Sequence, residues 1–307
     1  MINKDFNSIL ELLQAFHDEQ TCIDHLESVW WNGNIVSPFD QTSKVYKCKG
    51  NKFKCKNTGK YFNVRTGTMF DNTKIGLQKW FLAIWLVTSH KKGISSLQLH
   101  RDLNVTQKTA WFMLQRIRKC FGIENNNDLD NNVEADETYV GGKNKNRHKS
   151  KKVERSQGRS AKDKTPVVGT LERGGKVNAQ KVDNVQKETL SKIVIANVKE
   201  TANLYTDEWV GYAGLDKMYN HSIVNHGHGE YVNGDAHTNT LEGFWSLFKR
   251  GVIGIYHSLS KKHLQNYVDE FVFRYNTREH TESGRINHLL SNIGVRTTYK
   301  ALIGGIA

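Results

Sequence analysis

Short runs of alternating hydrophobic and polar positions dominate the chain beyond residue 132, with longer stretches of helical spacing between them. The period-2 runs predict strands at 133–141, 165–173, 176–182, 203–207 and 221–226. Apolar residues at helical spacing predict helices at 187–199, 237–251 and 260–279. Strands that alternate with helices are typical of an α/β domain, which we expect over residues 133–307.

The predicted helix "HTNTLEGFWSLFKRG", at 237–251, carries two distinct faces. At about 100° of turn per residue, its large apolar side chains fall on one side. They are Leu241, Phe244, Trp245, Phe248 and Val252. A separate narrow stripe holds an amide, a carboxylate, a hydroxyl and an ammonium, from Asn239, Glu242, Ser246 and Lys249. We expect the apolar side to pack on the sheet and the stripe to face a functional site or solvent.

The preceding residues divide into three segments by pattern. Residues 1–70 combine an amphipathic helix at 5–19 with β-type alternation and turn signals from 29 onwards. Residues 71–123 have helical spacing, and the polar, Asn-rich residues 124–132 are expected to form a linker.

Helix-turn-helix spacing appears at residues 95–120. A helix from about Ser95 is followed by a turn at 103–105, and a second helix starts at Thr106, a good N-cap. Lys108, Gln115 and Arg116 on the second helix suit contacts with phosphates and base edges. The alternative is an ordinary helical hairpin with a solvated basic face.

The β segment resembles a zinc ribbon that has lost its ligands. One knuckle would be Cys55 with Thr58, and the other would be Ser37 with Asp40, so three of the four expected thiols are absent. We therefore predict no zinc here. Four cysteines in 307 residues also do not make a disulfide framework.

The charge balance indicates the partner. Lys and Arg number 44 and Asp and Glu number 31, which gives +13 and a pI near 9.4. Nucleic acid is the first candidate partner and an anionic membrane surface the second. The longest apolar run, 80–87, is far shorter than the about 20 residues of a spanning helix. The first residues lack a signal-peptide pattern, so we expect a reducing cytoplasm.

Three carboxylates occupy positions from which they could converge. Asp136 lies in a strand, Asp207 lies at a strand end, and Glu242 lies on the polar helix stripe. Together they could bind hard divalent cations, and two such ions can promote phosphodiester chemistry. Glu134 and Glu137 are rivals of Asp136. Asp207 could instead cap the next helix, and Glu242 could be part of a solvated stripe.

A strongly basic segment lies between the first two strands of this domain. Residues 143–164 hold ten Lys and Arg against one Glu and one Asp. The segment is either a solvated loop or a loop that grips DNA phosphates, with contacts from Lys143, Arg147, Lys151 and Lys152.

Four motifs give the chain its resemblance to a known family: "VEADETYVGGK", "LYTDEWVGY", "HTNTLEGFWSLFKRGVIGIYHSLSKKHLQNYVDEFVFRYN" and "CKNTGKYFNVRTGT". The chain resembles ISXO2-like transposases of bacterial insertion sequences, which belong to the DDE class. The resemblance implies a ribonuclease-H-like mixed sheet flanked by helices, preceded by the degenerate zinc ribbon and the helix-turn-helix.

The resemblance also implies an activity and a site. Asp136 and Asp207 would be the catalytic aspartates, and 34 residues separate Asp207 from Glu242, close to DDE spacing. Glu242 is favoured as the third metal ligand, and Asn239 is its rival. Lys249 would contact a phosphate, with Arg250 beside it on the DNA.

The implied cofactor is Mg²⁺ or Mn²⁺, with two ions. The implied partners are terminal inverted repeats, target DNA and further copies of the chain, in the bacterial cytoplasm at the nucleoid. Two other functions stay open. One is a DNA-binding regulator without catalysis, and the other is a structure-selective nuclease on the same fold.

Overall fold

The computed structural model describes residues 5–142, 144, 148–154, 163–224 and 237–304. The chain divides into two compact units, the first formed by 1–120 with 279–307 and the second by 121–278. Residues 279–307, which the sequence pattern grouped with the α/β domain, thus belong to the first unit. None of the described helices combines the length and the apolar character needed to cross a bilayer.

In chain order, the described helices and strands are α1 (Ile9–Ala15), α2 (Glu19–Trp31), β1 (Val45–Cys48), β2 (Lys52–Cys55), β3 (Tyr61–Phe62), α3 (Leu77–Ser89), α4 (Ser96–Leu103), α5 (Gln107–Cys120), β4 (Asn132–Val140), β5 (Thr165–Glu172), β6 (Val177–Lys181), α6 (Lys187–Asn197), β7 (Asn203–Asp207), β8 (Asn220–Val224), α7 (Asn239–Gly251), α8 (Leu264–Asn276), α9 (Glu282–Leu290) and α10 (Tyr299–Ile303). Residues 225–226 of the last predicted strand lie outside the described residues.

The first unit is mainly helical, and two of its helices correct the sequence prediction. The helix expected at 5–19 ends at Ala15, because Asp18 accepts a 2.7 Å hydrogen bond from the Thr21 amide and starts α2 as its N-cap.

Helix α9 packs on α2 and α3, and the Met69 amide donates to the carbonyl of Ile293. These contacts explain why the last segment joins the first unit.

The three strands β1, β2 and β3 form a small antiparallel sheet, as the alternation predicted. At the knuckle position Cys55 is buried. Burial acts to raise the pKa of its thiol, but hydrogen bonds involving Ser37, Ser43 and Thr58 outweigh burial and lower the pKa to about 6. Hydroxyl groups therefore surround this sulfur where a zinc ribbon would place thiols, and the absence of zinc stays a prediction.

The second unit is built on a five-stranded mixed sheet of order β6-β5-β4-β7-β8. Strands β4, β5 and β6 pair antiparallel, and β7 and β8 run parallel to β4. Counted along the chain the order is 3-2-1-4-5, with the second strand opposed to the others. This is a ribonuclease-H-like mixed sheet flanked by helices, which confirms the predicted fold.

Helices cover both faces of this sheet because β5 carries apolar side chains on each face, with Val168 in one core cluster and Val167 and Leu171 in the other. Val133 and Ala135 join the core under α6. On the other face, α7 and α8 bury a second apolar cluster that includes Trp245 and Phe248. The Trp245 ring approaches Gly169 of β5 so closely that an added Cβ would lie 2.6 Å from Cζ2. Only glycine at that position lets α7 pack this closely against the sheet.

Glu134 fastens β4 to the first turn of α7. Its fully buried carboxylate accepts 2.8 Å hydrogen bonds from the Leu241 amide and the Thr240 hydroxyl. Arg173 Nε donates to it at 2.8 Å, and His237 Nδ1 lies 3.2 Å away. A carboxylate at a helix N-terminus is stabilised by the helix dipole. Glu134, a rival of Asp136 in the sequence, is therefore structural.

The Asn-rich segment predicted as a linker is bound to the edge strand β6. The Asn125 amide group donates to the Ala179 carbonyl at 2.6 Å and accepts from the Ala179 amide at 2.7 Å. Asn127 makes three hydrogen bonds with the Asn178 side chain, whose Oδ1 accepts from the Asn127 amide and Nδ2 and whose Nδ2 donates to the Asn127 carbonyl. The segment belongs to the second unit, which begins at Phe121.

Removing the carboxylate of Glu134 tests the attachment of α7. We expect Glu134→Ala to lower the free energy of unfolding by about 3–5 kcal/mol, because Arg173 loses its buried partner. Urea denaturation followed by tryptophan fluorescence measures this loss. The control Glu200→Ala removes an exposed carboxylate of the same unit and should cost less than about 0.5 kcal/mol. Equal losses in the two variants would contradict the structural role of Glu134.

Candidate active site

Two of the three predicted carboxylates converge at the end of β7. Strands β4 and β7 pair in parallel, with Glu134 opposite Tyr205, and two residues further along each strand stand Asp136 and Asp207. One oxygen each from Asp136, Glu137 and Asp207 lie within 4.8 Å of one another. These three carboxylates are named the acidic cluster. Oxygen ligands at this separation suit a hard divalent cation.

Asp207 has two roles in this arrangement. It is buried, and its Oδ1 accepts a 3.1 Å hydrogen bond from the Trp209 amide at the start of a short 3₁₀ helix. The N-cap of this short helix is Trp209, so Asp207 is not the cap that the sequence offered as an alternative. The same Asp207 side chain also belongs to the acidic cluster.

Glu137 is the member of the cluster that the sequence did not select. Alternation assigns it to the face of β4 opposite Asp136, which separates the two side chains. Because β7 ends at Asp207, side chains from both faces of β4 can approach that carboxylate around the strand end. The sequence named Glu137 only as a rival of Asp136, and no local pattern distinguished it.

Tyr212 orients Glu137. Its phenol donates a 3.2 Å hydrogen bond to Oε2 of Glu137, and the ring is buried. Burial raises the pKa of Tyr212 well above its usual value, and the charges of Glu137, Asp136 and Asp207 raise it further. The phenol therefore stays protonated and keeps donating. Tyr212 was not predicted.

Three of the remaining predicted site residues line one cleft beside the acidic cluster: Glu242, Lys249 and Arg250. The cleft has a volume of about 600 Å³ and is bordered by Asp136, Glu137 and Glu242. Three cations stand around it: Lys164, Lys249 and Arg250. Among the described residues, the acidic cluster does not include Glu242, whose Oε1 lies 3.5 Å from the Thr238 hydroxyl. Asn239 is the exposed first residue of α7, one turn earlier.

The basic segment after β4 is only partly described. Lys143 and Arg147 lie outside the described residues. Lys151 ends a short 3₁₀ helix at Lys149–Lys151, and Lys152 is exposed. The DNA contacts expected of these residues stay predictions.

The helices expected from the helix-turn-helix pattern are present as α4 and α5. Asn104 adopts a left-handed conformation between them, and the Thr109 amide donates to the Thr106 hydroxyl at 3.2 Å, as an N-cap requires. The two helices pack against each other and against α3.

Two residues proposed to contact DNA on α5 are misassigned. Gln115 is fully buried. Arg116 is also buried, where its guanidinium donates to the carbonyls of Met69 and Thr297 at 2.8 and 3.1 Å. These contacts satisfy backbone carbonyls inside the unit, so neither side chain is presented at the surface. Lys108 is exposed, with its ammonium 4.5 Å from the centre of the Tyr299 ring.

A 3-2-1-4-5 mixed sheet that gathers carboxylates from its adjacent strands β4 and β7 is typical of the ribonuclease-H-like class. Within it, residues 128–276 match the model of the ISXO2-like transposase domain. A transposase-like protein of Haemophilus influenzae is 30% identical over 105 residues, which are 34% of this chain and 84% of that protein. The chain belongs to the ISXO2-like transposase family.

Further similarities extend over most of the chain. A protein of the transposable element ISH50 of Halobacterium salinarum is 28% identical over 275 residues, which are 85% of this chain and 92% of that protein. Among solved structures, the Mos1 strand transfer complex is similar with a TM-score of 0.29 and 12% identity, over 71% of this chain and 79% of that chain. A pre-cleavage Mos1 transpososome has a TM-score of 0.25 and 10% identity, over 94% and 97%.

Cation binding without DNA tests the composition of the acidic cluster. We expect Asp207→Asn and Glu137→Gln each to weaken Mn²⁺ binding by at least about 10-fold, and Tyr212→Phe by roughly 10-fold through loss of orientation. Isothermal titration and Mn²⁺ electron paramagnetic resonance measure this.

Two matched variants complete that experiment. Asp183→Asn removes an exposed carboxylate that pairs with Lys261 and should bind Mn²⁺ like the unmodified chain. Glu242→Gln, on the cleft wall, should have the smaller effect in the absence of DNA. If Glu242→Gln weakens binding as much as Glu137→Gln, the three-carboxylate assignment is wrong.

Proposed function

We propose that the second unit cuts DNA at the ends of an insertion element and transfers the freed 3′ ends into target DNA. The observation that carries the proposal is the convergence of Asp136, Glu137 and Asp207 beside a cleft with a basic wall. Membership of a transposase family supports the substrate class. The chain's net charge of +13 suits a polyanionic partner.

The donor set fits a divalent metal ion, Mg²⁺ or Mn²⁺. Three carboxylates with oxygens within 4.8 Å of one another supply the hard ligands that such ions prefer. When bound, divalent ions activate water and stabilise the leaving oxygen of a phosphodiester. Asp136 and Asp207 would hold them, together with Glu137. Glu242, with Asn239 as its rival, would add a further oxygen from the first turn of α7.

The cations on the opposite wall bind and position the DNA strand. Lys249 and Arg250 are exposed at the end of α7 and border the same cleft as Asp136. Their charges offset those of the carboxylates and attract the phosphates on either side of the reacting one. Arg250 is steadied by a 3.2 Å hydrogen bond from its Nε to the Ser246 carbonyl. The freed 3′-hydroxyl then loses its proton and attacks a phosphodiester of the target DNA in line, so that a new P–O bond forms as the P–O bond to the target's own 3′-oxygen breaks, and no covalent bond to the protein forms.

Conservative changes in the acidic cluster test the chemistry. Asp136→Asn and Asp207→Asn should each lower cleavage and strand transfer by at least roughly 10²- to 10³-fold, because each removes a carboxylate charge that would hold the divalent cation. The assay uses duplexes carrying the terminal inverted repeats that flank the coding sequence, with Mg²⁺ or Mn²⁺. Gel-shift binding in Ca²⁺ should stay within about two-fold.

The matched control for this assay is Asp183→Asn, which makes the same chemical change at an exposed site. It should cleave like the unmodified chain. A chain that binds the repeats but does not cut DNA in the presence of any metal ion would instead be a DNA-binding regulator. Cutting of branched DNA without joining would indicate a structure-selective nuclease.

DNA binding through α5 of the first unit gives a second test of the proposed function. Lys108→Ala should weaken binding to all DNA sequences alike and reduce the salt dependence by about one phosphate contact, because Lys108 is an exposed cation on α5. Fluorescence anisotropy across a salt series measures both quantities. Lys74→Ala removes an exposed charge elsewhere in the unit and serves as the control. Equal effects of the two variants would contradict binding through α5.

A further inference from the structure

The exit of α7 contains a π-helical turn at Val252–Tyr256. Such turns are rare in proteins, and they occur frequently at functional sites. The turn presents Ile253 with 73% of its surface exposed. An isolated exposed isoleucine is ordinary, so exposure alone does not single this residue out.

The position of Ile253 makes it distinctive. The exposed side of α7 carries Glu242, Ser246 and Lys249, and Ile253 follows as an apolar residue at the end of this polar stripe. Ile253 also borders the cleft that contains Asp136 and Glu137. A large apolar side chain thus stands beside the acidic cluster, next to the cations that would hold the phosphates.

Contacts between Tyr256 and α8 hold the π turn in place. Tyr256 donates a hydrogen bond from its phenol to the buried carboxylate of Glu270, which also pairs with Arg274. The Tyr256 ring packs edge-on against Tyr267 of α8 at a centroid distance of 4.8 Å. Because the turn is fixed to α8, Ile253 can press on a ligand without being displaced.

The acidic cluster is recessed, which constrains the DNA. Glu137 and Asp207 are buried and Asp136 is only partly exposed. In an intact duplex, base pairing holds the two strands together. A phosphodiester of one strand therefore cannot enter such a recess without the width of the whole double helix. A strand whose bases are unstacked from their neighbours can enter it. Apolar side chains inserted between base steps are a known means of unstacking DNA.

We infer that Ile253 is a wedge that opens the base pairs next to the reacting phosphate, so that one strand enters the cleft. The ligand of this subsite is the terminal base step of double-stranded DNA. Lys249 and Arg250 hold the backbone while the isoleucine occupies the space between the separated bases. This inference rests on the proposed function, whose DNA substrate it shares.

Base opening is measured directly with 2-aminopurine placed beside the cleavage position in a duplex ending in the flanking inverted repeat. Binding of the unmodified chain in Ca²⁺ should raise the fluorescence several-fold. Ile253→Ala should abolish most of that rise, and Ile253→Leu should preserve it. Ile195→Ala, a change of a 47% exposed isoleucine on α6, is the matched control and should behave like the unmodified chain.

Cleavage of a pre-opened substrate provides the second readout. Ile253→Ala should cut the fully paired end roughly 10- to 100-fold more slowly, because the base step must then open unaided. It should cut an end with two unpaired bases at the same position as fast as the unmodified chain. Normal base opening by Ile253→Ala, or an equal defect on paired and unpaired ends, would overturn the inference.

Failure of the proposed function gives a different result. An unmodified chain that cuts neither the paired nor the unpaired end with Mg²⁺ or Mn²⁺ is not the proposed transposase. If the unmodified chain cuts both the paired and the unpaired end, and Ile253→Ala cuts each of them at the same rate as the unmodified chain, the proposed function stands. The role of Ile253 as a wedge is then rejected.

Discussion

The buried carboxylate of Glu134 joins the central strand of the sheet to the first turn of α7, and the geometry of the cleft depends on this junction. Arg173 neutralises part of its charge, and the Leu241 amide and the Thr240 hydroxyl at the helix start provide hydrogen bonds that replace those lost from water on burial. The close approach of Trp245 to Gly169 sets the spacing of the same helix from the sheet. With both contacts in place, the polar stripe of α7 faces the end of β4.

The cleft that results combines opposite charges at short range. Three carboxylates gather around the end of β7, and cations stand on the facing helix. Carboxylates this close repel one another, which favours binding of a divalent cation. Tyr212 holds Glu137 from the interior, and its raised pKa keeps it a hydrogen-bond donor. The arrangement suits a reaction in which negative charge accumulates on a phosphoryl group.

The sheet protects its own free edge with side chains. The amide groups of Asn125, Gln265 and Asn276 bind the outward-facing backbone groups of β6 at Ala179, Lys181 and Val177, respectively. Each side-chain amide takes the place that a neighbouring strand would fill. An edge satisfied in this way is a poor template for pairing with another chain. Asn125 of the Asn-rich segment before β4 therefore contributes to this edge protection, together with two residues of α8.

Local patterns in the sequence determined the strands, the two faces of α7 and the positions of Asp136 and Asp207, because periodicity and strand ends depend only on neighbouring residues. The tertiary structure decided the rest. Glu137 and Tyr212 meet at the end of β7 although 74 residues separate them along the chain. The sequence predicted Arg116 as a surface cation, whereas in the folded chain it is buried and donates to the carbonyls of Met69 and Thr297. Burial and contact between distant segments are properties of the folded chain, and no local pattern encodes them.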